Sequence, residues 1–308
     1  MSSPNGLRVG VLLISPFQLL DASPVDLFSM LTKDYLSACG FPGPLIALGI
    51  PVSIYYISES GPGTLAATAA SASIQVTSSL DEETVQPGKL DVLLTPGPDP
   101  NLVPSEKVKA FVRSHADGGT TDFLFVCTGI FVAGHAGIID NKKVTGPRGL
   151  LPKLKSMFPK TIWLEKRWAC DGRIWTSGMP LAAALFRFHL CKFIPIPSPS
   201  PSSIYSHRLG GITNGQDMVA AYLHDLHEHT VTIPKELADL VCAMADVGGR
   251  GQDYDNTSAG ETAFWLWLII KSWIRGWRGR GQKTEAAAST VAPGTTTGAP
   301  AMTETVSS

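Results

Sequence analysis

Three short apolar runs without polar alternation constrain the fold of this 308-residue chain more than any other feature. The runs are "LRVGVLLIS" (7–15), "KLDVLLTPG" (89–97) and "TDFLFVC" (121–127). A strand exposed on one face alternates apolar and polar residues, whereas a strand covered on both faces need not. Each run is followed by a segment with helical spacing, over residues 21–36, 104–116 and 128–139. Buried strands alternating with helices predict a single-domain α/β sandwich around a mostly parallel sheet.

Other segments fit the same architecture and define where the folded domain ends. We expect further elements in this order: strands at 52–58 and 73–80, a hairpin over 161–178 turning at Asp171-Gly172, and amphipathic helices at 213–227 and 234–247. The folded domain is therefore placed at residues 1–253, with an atypical insert at 179–210.

Residues 254–281 and 282–308 lack this α/β pattern. The first segment contains an uninterrupted apolar core, Ala263–Ile270, that is much shorter than the ~20 residues of a membrane-spanning helix. We interpret the segment as a terminal helix docked on the core, with a basic end. The alternative is an interfacial membrane helix over residues 262–278, with tryptophans and arginines at one side. The tail at 282–308 is rich in Thr, Ala and Pro and is predicted to be disordered.

Composition argues against several functional classes. The net charge of −1 and the pI near 6.6 give no sign of a nucleic-acid partner or an anionic surface. The five cysteines are scattered without a Cys-x-x-Cys pair, so neither a disulfide framework nor a zinc site is predicted, and reduced thiols are expected. The N-terminal sequence lacks the charged start and long apolar core of a signal peptide, which favours a cytoplasmic location.

The stretch "VCTG" places Cys127 where a strand turns directly into a helix. This corner lies at the carboxyl edge of the sheet, where ligands of open α/β folds bind. A helix N-terminus offers free N–H groups and a positive dipole end, which favour thiolate over thiol. Thr128 and Gly129 allow a tight turn, and the Thr128 N–H is placed to stabilise an oxyanion. From these residues alone, Cys127 is either a nucleophile or a buried structural cysteine.

Five segments in chain order carry a family resemblance. They are "VGVLLISPFQLLDASPVDLF", "DVLLTPGPDP", "DFLFVCTGIFVAGHAGIIDNKKVTG", "EKRWACDGRIWTSG" and "GGITNGQDMVAAYL". Together they resemble the DJ-1/PfpI superfamily, which shares its fold with class I glutamine amidotransferases, over residues 7–250 apart from the insert. The resemblance implies a flavodoxin-like/DJ-1-like fold with Cys127 at the nucleophile elbow. Cys-Thr-Gly at the elbow, with an aspartate near the N-terminus, is similar to isonitrile hydratases.

This resemblance implies a covalent mechanism that uses neither a metal nor an organic cofactor. Cys127 would attack a small electrophilic substrate such as an isonitrile, Asp21 would hydrogen-bond the thiol or activate water, and Thr128 would offer its N–H. Water attack would release an N-substituted formamide, as in a hydro-lyase of secondary metabolism. The alternatives are an enzyme for α-oxoaldehydes or amides and a non-catalytic redox-sensing or binding protein. Family members commonly dimerise, which makes a homodimer a candidate assembly.

The acidic partner and the histidine of the family pattern are displaced or replaced in this chain. Aligned on Pro24-Val25-Asp26, the family's acid falls on Leu20. Asp21 fills this role if the preceding loop is one residue shorter, and is otherwise a turn or cap residue. The stretch after the elbow helix reads "VTGPRG" (144–149) where many members have a histidine, so no Cys-His dyad is predicted there.

The loop that faces the elbow also differs from the family pattern. The family has Pro-Gly-Gly, and its second glycine donates an oxyanion N–H. Here the loop reads Pro96-Gly97-Pro98, and proline has no N–H to donate. Gly97 or Asp99 is left as the second donor of the predicted oxyanion and substrate loop.

The remaining polar candidates are interpreted mainly as structural. His135 lies two helical turns beyond Cys127, too far for contact, and is predicted to be a packed helix histidine. Arg148 is either a ligand for an acidic substrate group or a solvated arginine. A group of three histidines lacks ligand spacing and is expected at the surface: His224, His227 and His229.

The insert at 179–210 carries an apolar stretch and then a Pro/Ser repeat, and neither fits a neighbouring element. Its removal would join Gly178 to Gly211 and give "IWTSGGITNGQDMVAAYL", the uninterrupted hairpin-to-helix passage of the family. We hypothesise that it is either a retained intron translated in frame or a recent loop insertion. A loop insertion would be exposed near the edge of the site.

Overall fold

The structure is a computed structural model that describes residues 6–178, 213–226 and 232–254, together with 267, 270 and 271. The chain divides into two compact units, Met1–Thr262 and Ala263–Ser308. The predictions for the insert and for the 282–308 tail lie outside the described residues, as does nearly all of the predicted terminal helix. Across the described parts of the chain, no helix is both long and apolar enough to cross a membrane.

A six-stranded sheet forms the centre of the first unit. Its strands are β1 (Leu7–Leu12), β2 (Val52–Ile57), β5 (Val92–Thr95), β6 (Asp122–Val126), β9 (Trp168–Asp171) and β10 (Ile174–Ser177). They lie in the order β2-β1-β5-β6-β10-β9, and all neighbours are parallel except β9 and β10. These two strands form the hairpin predicted around Asp171-Gly172. The mostly parallel sheet predicted from the sequence is confirmed.

Two small ribbons lie outside this sheet. They consist of β3 (Leu65–Ala67) with β4 (Ser73–Gln75), which are antiparallel, and β7 (Lys143–Val144) with β8 (Ile162–Trp163), which are parallel. The strand predicted at 73–80 is therefore much shorter than expected and pairs away from the main sheet.

Helices cover both faces of the sheet. They are α1 (Leu19–Ala22), α2 (Val25–Ser29), α3 (Lys33–Ala38), α4 (Gly43–Ile46), α5 (Glu106–Gly118), α6 (Ile130–Ala136), α7 (Leu151–Met157), α8 (Asn214–Asp225) and α9 (Lys235–Ala245). In β6, Leu124 and Val126 pack into a core with α2, α3, α8 and α9. Phe123 and Phe125 pack into a second core with α5, α6 and α7. Both faces of the strand are thus buried, which explains the absence of polar alternation.

The segment 21–36, predicted as one helix, belongs to three short helices. Pro24 stands at the start of α2 and has no N–H with which to continue α1. Thr32 begins α3, where its side-chain oxygen caps the new helix. Ser23 does not cap α2, because its hydroxyl donates to the Leu20 carbonyl (2.7 Å).

Candidate active site

Cys127 lies at a strained corner at the end of β6. Its φ is 56°, in the left-handed region that a non-glycine residue enters only at an energetic cost. Val126 before it is extended, and a 3₁₀ turn at Cys127–Gly129 leads directly into α6. Gly129 is required in this turn because a Cβ there would overlap the Thr95 carbonyl oxygen. The strand-to-helix corner predicted from the sequence is confirmed.

Asp21 reaches this corner from the short helix α1, which follows β1. Asp21 is 0% exposed, whereas Leu20 is 43% exposed, so the buried acid is Asp21. Gly97 lies between Asp21 and Thr128, since a Cβ on Gly97 would overlap an Asp21 carboxyl oxygen and the Thr128 hydroxyl. The structure therefore brings Asp21, Gly97 and Thr128 together beside Cys127.

Burial raises the pKa of both Asp21 and Cys127. Burial raises the pKa of Asp21 to about 7, although the nearby Cys127 thiol and the Gly97 N–H act in the opposite direction. Within the described residues, neither Asp21 carboxyl oxygen has a partner at full hydrogen-bond geometry, so both contacts are weak. Burial and the Asp21 charge raise the pKa of the Cys127 thiol well above its usual range. At neutral pH the pair therefore retains a proton on the thiol, while the carboxyl is near the midpoint of its titration.

The predicted preference for a thiolate is wrong for this resting site. The Thr128 N–H does lower the pKa of the Cys127 thiol, as expected at a helix start. Loss of hydration and the neighbouring Asp21 carboxyl act in the opposite direction and dominate. Forming a thiolate here requires that Asp21 accept the proton or that a substrate change the surroundings.

The two predicted oxyanion donors nearest the thiol differ in availability. The Thr128 N–H faces the Cys127 sulfur, where the sequence places it. The Thr128 hydroxyl donates to the Pro98 carbonyl (2.7 Å), which ties the elbow to the facing loop. The Gly97 N–H faces the Asp21 carboxyl rather than open space. Among the described residues, the Thr128 N–H is therefore the one that acts directly on the thiol.

The Asp99 side chain bonds within its own loop rather than to the Cys127 thiol. It is exposed, and its Oδ1 accepts hydrogen bonds from the Asn101 backbone N–H (2.8 Å) and side-chain amide (3.1 Å). The Lys153 ammonium donates to the Pro100 carbonyl (3.0 Å) and to Asn101 Oδ1 (2.7 Å), which fixes this loop to α7. The Asp99 side chain thus stabilises its own loop.

The first turn of α8 also reaches the site, and sequence reasoning missed it. Gly215 packs so closely on Val126 that a Cβ would overlap the valine side chain. The Gln216 side-chain amide donates to the Ser23 hydroxyl (2.6 Å). These residues contact the neighbours of Cys127 and Asp21, respectively. A glycine and a glutamine just after an unplaced insert give no signal of this role in the sequence.

One family model matches part of the chain. Residues 43–192 match the model of the DJ-1/PfpI family. The match spans 150 of the 308 residues, just under half of the chain. The match includes Gly97 and the Cys127 elbow, begins after Asp21 and ends inside the insert.

Solved structures share the DJ-1/PfpI fold of this chain at low sequence identity. A ThiJ/PfpI family protein from Pseudomonas syringae has a TM-score of 0.53 at 14% identity and covers 86% of each chain. An AraC family transcriptional regulator from Pseudomonas putida has a TM-score of 0.52 at 12% identity, covering 78% of this chain and 99% of its own. DJ-1 from Schizosaccharomyces pombe has a TM-score of 0.50 at 13% identity, covering 77% and 98%. No curated protein matches the chain.

His135 and His224 have structural roles. His135 packs edge-on against the Phe158 ring, with centroids 5.4 Å apart, which confirms a packed helix histidine. His224 is at the surface, 3.7 Å from Asp239, as expected. Two histidines of the predicted surface group lie outside the described residues: His227 and His229. Over the described stretches, no three His, Cys, Asp or Glu side chains are grouped to hold a metal ion.

Arg148 follows the position where many DJ-1/PfpI proteins carry the histidine. Its guanidinium lies 3.4 Å from the Glu165 carboxylate and 4.8 Å from the centre of the Tyr254 ring. The prediction of a solvated arginine is therefore wrong. The side chain is engaged by an acid and an aromatic ring, which leaves it in a structural role.

Proposed function

We propose that this chain is a DJ-1/PfpI-type cysteine-dependent hydro-lyase that adds water to an isonitrile and releases an N-substituted formamide. The observation that carries the proposal is the buried Cys127–Asp21 pair, in which a strained thiol contacts a carboxyl with a pKa of about 7. A general acid or base works best when its pKa is close to the pH at which it operates. Asp21 therefore suits a reaction that needs proton transfer in both directions.

The reaction balances with this single pair. Asp21 takes the proton of the Cys127 thiol and delivers it to the terminal isonitrile carbon, while the sulfur bonds to that same carbon. The resulting thioimidate, R–N=CH–S–Cys, contains every atom of the thiol and the isonitrile. Asp21 next takes a proton from water as the water oxygen attacks the carbon. The nitrogen receives that proton from Asp21, the C–S bond breaks, and the remaining hydroxyl proton passes to the sulfur as R–NH–CHO leaves.

The donors around the thiol favour this reaction over amide hydrolysis. Acyl transfer puts a full negative charge on oxygen at the first step, and removing one donor from such a site costs about 10²–10³-fold in rate. Pro98 has no N–H, and the Gly97 N–H faces Asp21. An isonitrile has no oxygen, so no oxyanion forms in the first step. When water attacks in the second step, the negative charge that develops at nitrogen is neutralised by proton transfer.

The test is direct turnover with an aryl or alkyl isonitrile, following loss of the isonitrile and appearance of the formamide by NMR. We expect Cys127→Ala to lower the rate by about 10³-fold or more, to the uncatalysed level. Cys39→Ala is the matched control, because it removes an exposed thiol far from the elbow sequence. If the wild-type protein and Cys127→Ala form formamide at the same rate, the proposal is wrong.

A non-catalytic sensor is the second candidate. The fold alone does not require catalysis, since a similar solved structure is described as an AraC family transcriptional regulator. Oxidation of cysteine follows thiolate character and exposure, and Cys127 is only 7% exposed, with its pKa raised by burial. Ready oxidation of Cys127 by dilute peroxide, with no turnover of isonitriles, glyoxals or amides, would favour the sensor.

A further inference from the structure

The carboxyl of Asp21 is held in place by its backbone rather than by its own hydrogen bonds. Neither oxygen has a partner at full hydrogen-bond geometry among the described residues. On the N-terminal side, the Gln18 N–H donates to the Gly97 carbonyl (3.0 Å), and the Asp21 N–H donates to the Gln18 carbonyl (3.1 Å). The position of the acid therefore depends on how the short segment around it is anchored.

The anchor on the C-terminal side comes from α8. The Gln216 side-chain amide donates to the Ser23 hydroxyl (2.6 Å), and this hydroxyl donates to the Leu20 carbonyl (2.7 Å). The two bonds form a chain that ends one residue before Asp21. Ser23 and Gln216 are 193 residues apart in the sequence, so this contact joins two distant parts of the fold.

The same turn of α8 also contacts the elbow. Gly215 packs directly on Val126, the residue before Cys127, and the Pro24 side chain lies nearby. The first turn of α8 is thus a common support that sets the separation of the two partners. A Cβ at position 215 would overlap the Val126 side chain and so disturb the elbow.

We propose that Gln216 is a positioning residue that, through Ser23, holds the Asp21 carboxyl against the Cys127 thiol. The catalytic consequence rests on the proposed function, whereas the structural one does not. Gln216 is half-buried, and its side-chain oxygen is buried without a hydrogen-bond partner in the described structure. Its orientation is therefore fixed by the single bond to Ser23. Loss of that bond frees the Leu20–Ser23 turn and admits water to Asp21.

The titration of Asp21 reports on this anchor without any substrate. In the described structure, Cys127 is the titratable group that acts on the Asp21 carboxyl; the other influences are burial and the Gly97 N–H. Water entering beside Asp21 stabilises the carboxylate and moves its titration toward that of an exposed aspartate. A purely structural glutamine would lower stability without this shift.

The experiment is a ¹³C-NMR titration of the aspartate side chains in the full-length protein, with Asp21→Asn assigning the Asp21 signal. We expect Gln216→Leu and Ser23→Ala each to lower the Asp21 midpoint by at least about one pH unit. The double variant should shift no further than either single variant, because both remove the same chain of bonds. Ser23→Thr, which keeps the hydroxyl, should restore the wild-type midpoint.

Gln86→Leu is the matched control, because Gln86 is also half-buried and bonds two backbone carbonyls elsewhere in the fold (2.8 and 3.0 Å). An unchanged Asp21 midpoint in both Gln216→Leu and Ser23→Ala overturns the positioning role. If Gln216→Leu does not fold, the Ser23→Ala and Ser23→Thr pair decides.

Turnover separates this inference from the proposed function. Shifted Asp21 midpoints in a protein that never hydrates isonitriles would uphold the anchor and reject the hydro-lyase. Hydration with an unchanged midpoint and an unchanged pH profile in Gln216→Leu would reject the anchor and uphold the hydro-lyase.

Discussion

Cys127 and Asp21 lie side by side, yet the chain positions them by different means. The elbow is made by the consecutive residues 126–129, which end a strand, enter the left-handed region and begin a helix. The Asp21 segment is instead held by contacts with distant residues, such as the bond between Ser23 and Gln216. The position of a nucleophile that depends on consecutive residues can be predicted from one sequence. The position of an acid that depends on long-range contacts cannot.

The largest expected effect concerns the Asp21 segment and is seen when Asp21→Asn removes the titrating carboxyl. The pKa of Asp21 is about 7 in the folded protein and 3.8 for an unperturbed aspartate, which represents the unfolded chain. The folded state therefore binds the proton more tightly. The stabilisation is complete below pH 3.8 and is lost as the pH rises through 7. The wild-type free energy of unfolding should fall by up to roughly 4 kcal/mol across that window, relative to Asp21→Asn.

Urea unfolding of wild type and Asp21→Asn at a series of pH values measures this difference. Asp26→Asn, which removes an exposed carboxylate from the neighbouring helix, is the control. Parallel pH curves for wild type and Asp21→Asn would show that Asp21 is not held in the buried site described.

A smaller effect is expected from a change confined to the elbow. Gly129→Ala places a Cβ against the Thr95 carbonyl oxygen, which is backbone and cannot rotate away. We expect a loss of about 2–3 kcal/mol in the free energy of unfolding and a displaced Cys127. Gly43→Ala, where a Cβ meets no neighbouring atom, should change stability by far less. Equal effects of both substitutions in thermal unfolding would argue against a close-packed elbow.

The smallest effect is expected from removing the 179–210 insert. The Asn214 side-chain amide donates to the Gly178 carbonyl (2.5 Å), so the two chain ends beside the insert already meet. After deletion, residues 211–213 would link them, and shorter loop closure stabilises the fold by at most about 2 kcal/mol. A folded deletion variant with an unchanged melting temperature or a slightly higher one is the expected result. A deletion variant that aggregates, or transcripts that are uniformly full-length, would oppose the retained-intron hypothesis.

The sequence predicted most of the sheet, because buried strands such as β6 are apolar on both faces and leave a local pattern. Ser105 caps α5 by accepting a hydrogen bond from the Val108 N–H, and such a helix start depends on residues next to one another. The division of residues 21–36 into three helices was missed because it depends on packing around Pro24 as well as on helical spacing. The raised pKa of the Cys127 thiol was missed for a similar reason, since burial and the approach of Asp21 are long-range properties.

The central claim is that Cys127 and Asp21 act as one proton-sharing pair. The most direct measurement is the rate of Cys127 alkylation by iodoacetamide as a function of pH, followed by mass spectrometry in wild type and Asp21→Asn. We predict that the wild-type rate rises with a midpoint near pH 7, where the Asp21 carboxyl becomes able to accept the thiol proton. In Asp21→Asn that midpoint should disappear, and the rate should rise only at more alkaline pH. The same midpoint in both proteins would contradict the pair.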